Sequence, residues 1–89
     1  QCDDTYITVC SDVFSSAFAP GVSAPQSLGL DPEIVLPLIK HVLRTRKVRG
    51  FDICEISPRF DQDNTTANLG AVIIFAVVNT LCRLNGLGI

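Results

Sequence analysis

Two runs of β-forming residues alternate with two longer apolar stretches that repeat at helical spacing. Tyr6 to Cys10 forms the first run and Val48 to Ile56 the second, which Pro58 closes. β-Branched and aromatic residues favour strands, and proline lacks the amide that a sheet ladder needs. The pattern predicts the order strand, helix, strand, helix. The two strands should be parallel, because a helix carries the chain back between them.

The first helix is predicted to begin at Asp31, Pro32 and Glu33, since an acidic cap followed by proline is typical of a helix start. Pro37 lies about one turn further on and predicts a kink or a late effective start. Apolar residues form one stripe at helical period, namely Ile34, Val35, Leu38, Ile39, Val42 and Leu43.

The second helix is predicted from about Asn64 to Asn85, where Gly86 can supply a left-handed cap. The ten residues 69–78 carry no polar side chain, but polar residues resume at Asn79. A membrane span needs about 20 apolar residues. We therefore expect a helix that is buried inside a larger protein and does not anchor it to a membrane.

Acidic and thiol side chains follow the carboxyl ends of both predicted strands. Cys10 and Asp12 end the first strand, and Glu55 lies near the end of the second. A long loop, 11–30, follows Cys10, and its two prolines and two glycines should fix its shape. Parallel α/β folds keep their sites at the carboxyl edge of the sheet. We expect the three side chains to gather there.

Asp12 suits a hard divalent cation such as Mn²⁺ or Mg²⁺, and the alternative is that it caps the loop through nearby backbone amides. Cys10 should face the same way if strand geometry continues to Asp12. A thiolate favours zinc over manganese, and a buried cysteine often serves only as a small apolar residue. His41, the sole histidine, is expected on the helix surface. This chain alone does not complete a metal site.

Glu55 is predicted to lie in a buried strand end, where an unpaired carboxylate would cost several kcal/mol. Arg59, four residues later, is the structural candidate for its partner. The functional candidate is a cationic ligand, because an amidine or guanidine can make a two-point, charge-assisted contact with a carboxylate.

Composition points to a part of a larger domain. The chain has 89 residues, of which 47% are hydrophobic, and a mean hydropathy of +0.37. A domain this small buries about 60% of its unfolded surface, so apolar patches should remain for absent partners. Four widely spaced cysteines predict reduced thiols and a cytoplasmic protein.

The bases between Lys40 and Arg49 have two interpretations. They are typical of a helix C-terminus, where the macrodipole is negative, and a basic run can also bind nucleic acid or phosphate. No aromatic residues are interleaved with them, which favours the helix interpretation and no nucleic-acid partner.

Three segments resemble the C-terminal third of the arginase, or ureohydrolase, family. They are Val9-Cys10-Ser11-Asp12-Val13, the loop 19–25 and the run from Gly50 to Pro58. Ala-Pro-Gly-Val-Ser-Ala-Pro and Ser-Pro-Arg-Phe-Asp look most like the branch that acts on N-formimidoyl-L-glutamate. The likeness extends over nearly all of residues 6–85.

The resemblance implies an α/β fold, in which residues 1–89 form the C-terminal β-α-β-α segment of one three-layer α/β/α domain with a parallel sheet. It also implies a binuclear Mn²⁺ centre that activates water against the amidine carbon, giving L-glutamate and formamide in histidine degradation. Asp12 matches the second aspartate of a family Asp-x-Asp ligand pair, whereas Cys10 stands at the first. Glu55 matches a family glutamate that contacts the amidine or guanidine end of the substrate.

The remaining ligands, a His and an Asp-x-His-x-Asp motif, would precede Gln1, so the segment should be inactive alone. Expected partners are a small-molecule substrate, the rest of its own domain and further copies in a homo-oligomer. The alternatives are an arginase- or agmatinase-type guanidine hydrolase and a non-catalytic paralogue, which Cys10 favours. Cys10 could be a ligand, a bystander or a redox-sensitive group.

Overall fold

The computed structural model describes residues 2–87, and its elements follow the predicted order. Strand β1 (Thr5–Cys10) leads through a long loop to helix α1 (Pro32–Leu43). Strand β2 (Val48–Cys54) and helix α2 (Thr65–Leu84) follow. β1 and β2 pair in parallel, which confirms the α/β prediction and brings both carboxyl ends to one edge.

The core lies between the sheet and the two helices, which also contact each other. Ile7 pairs with Phe51 and Val9 with Ile53, and these four side chains contribute to the core. The largest fully buried side chains of the core are Phe14, Leu43 and Ile73.

The stripe predicted on α1 is only half buried: Val35, Ile39 and Leu43 face the core. Ile34, Leu38 and Val42 remain exposed, so that part of the prediction is wrong for this segment.

Polar side chains line the opposite face of the sheet. The Tyr6 hydroxyl donates to Asp52 Oδ2 at 2.8 Å, and Thr8 Oγ1 donates to Asp52 Oδ1 at 2.6 Å. Both hydrogen bonds lower the pKa of Asp52 below its usual value, and the bond from Thr8 has the larger effect. One carboxylate thus joins both strands on the face opposite the two helices.

Helix α1 begins at Pro32, where the Asp31 carboxylate accepts a hydrogen bond from the Glu33 amide at 2.8 Å. The acidic cap is confirmed. The late start suggested by Pro37 is wrong, because the cap and the first-turn proline already establish the helix five residues earlier. Gly86 follows α2 with φ 73°, which confirms the predicted left-handed end.

Large apolar residues remain exposed on both helices, among them Ile34 and Leu38 on α1 and Val72 and Phe75 on α2. Within residues 2–87, α2 is the one helix whose length and composition would suffice to cross a membrane. Its buried face, however, packs on the protein core through Ile73 and Val77. The burial of its remaining surface in a larger protein stays a prediction.

Candidate metal site at the carboxyl edge of the sheet

Cys10, Asp12 and Glu55 converge where the two strands end. The thiol sulfur and one oxygen of each carboxylate all lie within 4.8 Å of one another. Cys10 and Cys54 are partners in the parallel register, so the segment carrying Glu55 continues directly from the ladder. The predicted gathering of these three residues at one edge is confirmed.

The route from Cys10 to Asp12 differs from the predicted one. β1 ends at Cys10, and residues Ser11–Val13 form a turn of 3₁₀ helix instead of continuing the strand. The turn brings Asp12 back beside the Cys10 sulfur. Asp12 accepts no backbone amide bond within residues 2–87, so the loop-capping alternative finds no support in that part of the chain.

Cys10 is half-buried, and its environment stabilises the neutral thiol. The Asp12 carboxylate, as acceptor for the thiol proton, and then desolvation raise the pKa of Cys10 to about 11. A thiolate, not a thiol, is the ligating form of cysteine. A bound cation would therefore have to displace the Cys10 proton before the sulfur could coordinate it.

Cys54 is exposed, although the sequence predicted a buried strand there. Its thiol donates to the Val9 carbonyl at 3.7 Å and also lies near Cys10. It belongs to the sheet face opposite the two helices. All four cysteines lie in the described part and are free thiols, as predicted.

The structure corrects two predictions about Glu55. β2 ends at Cys54, two residues early, because Glu55 has a left-handed backbone with φ 68° that a ladder cannot continue. The side chain is exposed, and no ion pair joins it to Arg59 within residues 2–87. The Arg59 guanidinium instead lies over the Phe60 ring, 5.2 Å from its centroid. The carboxylate is left open at the sheet edge.

Ser11 lies between Cys10 and Asp12 in the sequence and is 2% exposed. Its Oγ has no hydrogen-bond partner among the residues described. Buried hydroxyl groups are usually paired, so this one is available to a polar group from outside residues 2–87. His41 is exposed on α1, as predicted.

Sequence reasoning missed a set of contacts that fixes the loop beside this edge. The Gly21 amide donates to Thr66 Oγ1 at 2.7 Å, and the Gly21 carbonyl accepts from the Ser57 amide at 2.6 Å. Ala19 and Val22, on either side, are buried. The prolines and glycines did indicate a fixed loop, but its partners lie far away in the sequence.

Asp61 holds the same region from the helix side. Its Oδ1 accepts from the Thr66 amide at 2.9 Å and its Oδ2 from the Ala67 amide at 3.1 Å, both in the first turn of α2. Desolvation raises the pKa of Asp61, but these backbone bonds outweigh it and leave the pKa below its usual value. Asn64, predicted to start the helix, makes no side-chain cap bond. The sequence signal for this contact was an aspartate placed shortly before a predicted helix.

The donor set determines which cations the edge can hold. Asp12 and Glu55 offer oxygen ligands, which suit Mn²⁺ or Mg²⁺. Cys10 offers sulfur, which suits a softer cation such as zinc. The carboxylates thus fit a manganese ion, whereas the soft Cys10 sulfur does not suit so hard a cation. Three side chains do not fill the coordination shell of such a cation, so further ligands would have to come from other groups.

Comparison with known proteins confirms the family that the sequence resembles. A sequence profile described as the arginase family matches residues 1–79. A formimidoylglutamase from Clostridium tetani is 67% identical over 87 residues, which are 98% of this chain and 26% of that protein. The chain thus spans about a quarter of the length of the curated relatives it matches.

Two solved structures have the same fold over most of the chain. Formimidoylglutamase from Bacillus subtilis superposes with a TM-score of 0.84 and 26% identity, covering 89% of this chain and 25% of that one. Agmatine ureohydrolase from Thermoplasma volcanium superposes with a TM-score of 0.84 and 31% identity, covering 98% and 29%. The β-α-β-α segment is therefore part of an arginase-like fold.

Proposed function

Because the chain belongs to the arginase family, we propose that it supplies one edge of the active site of an amidine hydrolase that acts on N-formimidoyl-L-glutamate. The observation that carries the proposal is the convergence of Asp12 and Glu55 with Cys10 within 4.8 Å. Two different strand ends supply these groups, so the site depends on the fold and not on a local motif.

The substrate assignment follows from the pattern of similarity. The relative at 67% identity is a formimidoylglutamase. The two solved structures, a formimidoylglutamase at 26% and an agmatine ureohydrolase at 31% identity, support the fold and not the choice of substrate. A formimidoyl group is an amidine and is cationic when protonated. The exposed Glu55 carboxylate suits such a group because the two form charge-assisted hydrogen bonds.

In the proposed reaction, water attacks the formimidoyl carbon and the bond from that carbon to the glutamate nitrogen breaks. The leaving nitrogen takes up a proton, so the products are L-glutamate and formamide. When bound, manganese supplies Lewis-acid activation of the attacking water. Asp12 would help to hold the metal, and Glu55 would orient the amidinium so that its carbon faces the water.

The remaining metal ligands and the distal part of the substrate site would come from the rest of the domain. The exposed apolar residues of α1 and α2 suit burial against that part. The segment alone should then be inactive. A cytoplasmic, homo-oligomeric protein without nucleic-acid or membrane partners remains our expectation.

The test is glutamate release by the complete polypeptide that carries this segment, reduced and loaded with Mn²⁺. We expect turnover of N-formimidoyl-L-glutamate and none of arginine or agmatine. Turnover of a guanidine instead would favour the arginase- or agmatinase-type alternative. No turnover of any of the three, with no manganese bound, would refute the proposal.

A second candidate, a non-catalytic paralogue, is favoured by Cys10. A cysteine sulfur is a soft donor and therefore a poor substitute for a carboxylate oxygen as a ligand of a hard cation such as Mn²⁺. The protein would then keep the fold for assembly or regulation. Substitution of Cys10 by aspartate separates the two candidates, because only a weakened enzyme should gain manganese affinity and turnover from it.

A further inference from the structure

Three segments that are distant in the sequence meet behind the carboxyl edge. They are the loop containing Gly21, the chain after β2 at Ser57 and the start of α2 with Asp61 and Thr66. We call these four residues the Gly21 junction. Its central hydrogen bond, from the Gly21 amide to Thr66 Oγ1, is buried, and Thr66 is only 1% exposed.

Glu55 lies between two fixed points. On one side, Cys54 is held in the ladder opposite Cys10. On the other side, the Ser57 amide donates to the Gly21 carbonyl at 2.6 Å. Glu55 itself has φ 68°, a backbone conformation that costs free energy for a residue with a side chain and persists only where the surroundings impose it.

The junction can impose that conformation because Gly21 is held by both of its peptide groups. Its amide is fixed by Thr66, which belongs to a helix, and its carbonyl then fixes Ser57. Asp61 also packs closely against Gly21, since a Cβ added at Gly21 would lie 2.7 Å from the Asp61 Cβ. The helix start thereby determines where the chain turns after Glu55.

We propose that Thr66 is a positioning residue: through Gly21 and Ser57 it keeps the left-handed Glu55 turned towards Asp12. The proposal deepens the proposed function and rests on it, because it assigns to Thr66 the placement of the substrate-contacting carboxylate. Asp12 lies on the other strand end and is not held by this junction.

The test compares Thr66→Val with Thr66→Ser in the complete polypeptide. Valine has nearly the shape of threonine but leaves the Gly21 amide without its acceptor, whereas serine retains the hydroxyl. Both variants keep the Thr66 backbone amide that Asp61 binds. We expect Thr66→Val to lower kcat/KM by about tenfold to a hundredfold, since misplacement by about 1 Å can cost a hundredfold.

Most of that loss should appear in KM, because Glu55 is assigned to bind the amidinium. Manganese content should stay at the wild-type value, and Thr66→Ser should restore KM. A lowered melting temperature with unchanged KM would show a merely structural role and overturn the proposal.

A crystal structure of Thr66→Val gives a readout that does not need activity. We expect the Glu55 oxygens to move out of the 4.8 Å cluster and the Glu55 φ to leave the left-handed region. An unchanged Glu55 would overturn the proposal, even if the wild-type protein hydrolysed none of the substrates and the proposed function had failed.

Discussion

Two glycine-to-alanine substitutions should differ in their effect on stability, because the added methyl group meets different neighbours at the two positions. At Gly21 a Cβ would lie 2.7 Å from both Cβ and Cγ of Asp61. At Gly70 it would lie 2.8 Å from Ile56 Cδ1 and 3.8 Å from Ile53 Cδ1. Both glycines are buried, so the same chemical change is made in two enclosed places.

The difference comes from how freely each neighbour can move. The Asp61 side chain accepts bonds from the amides of Gln62, Thr66 and Ala67, so it cannot rotate away without losing them. Overpacking of this kind costs about 1–3 kcal/mol. Ile56 Cδ1 is the far end of a flexible side chain, and alanine is favoured over glycine in a helix by about 1 kcal/mol.

We therefore expect Gly21→Ala to lower the free energy of unfolding by about 2 kcal/mol. Gly70→Ala should leave it unchanged or raise it slightly. The assay is urea unfolding of the complete polypeptide, followed by circular dichroism, with equal m-values as the check that both variants unfold from the same state. A Gly21→Ala variant as stable as the wild type, or a Gly70→Ala variant that is less stable than it, would refute the reasoning.

Two further predictions concern single side chains. Cys10→Asp should raise manganese affinity and turnover, because it replaces a soft sulfur donor by a hard oxygen donor. Titration with Mn²⁺ measures the affinity, and glutamate release measures the turnover. No gain in either would favour the non-catalytic alternative. Asp61→Asn should make stability less dependent on acid pH. The pKa of Asp61 is lower in the folded state than in the unfolded state. The charged carboxylate therefore stabilises the folded protein fully above the unfolded pKa of about 3.9. That stabilisation is lost as the pH falls through the lower folded pKa. Parallel unfolding profiles of variant and wild type between neutral and acid pH would contradict this second prediction.

The sequence predicted those features that local chemistry determines. The acidic cap at Asp31, the left-handed Gly86 and the two strand–helix pairs depend on residues close together in the chain. The convergence of Asp12 and Glu55 was also predictable, because parallel strands place their carboxyl ends at one edge.

The end of β2 was not predictable in the same way. Strand propensity predicts one continuous strand through residues 53–56. The backbone instead adopts a left-handed conformation at Glu55. Contacts from Gly21 to Ser57, over 30 residues away in the sequence, accompany this turn. Intrinsic preference is weak compared with such tertiary contacts, so the exposed carboxylate could not be derived from the strand pattern.

The most direct test of the central claim is the manganese content of the complete polypeptide with Asp12→Asn and with Glu55→Gln, measured alongside glutamate release. In the proposed function, Asp12 binds the metal and Glu55 binds the substrate. Asp12→Asn should lose both manganese and activity. Glu55→Gln should keep its manganese and lose activity through a raised KM. Full manganese content and activity in Asp12→Asn, or unchanged kinetics in Glu55→Gln, would contradict the account.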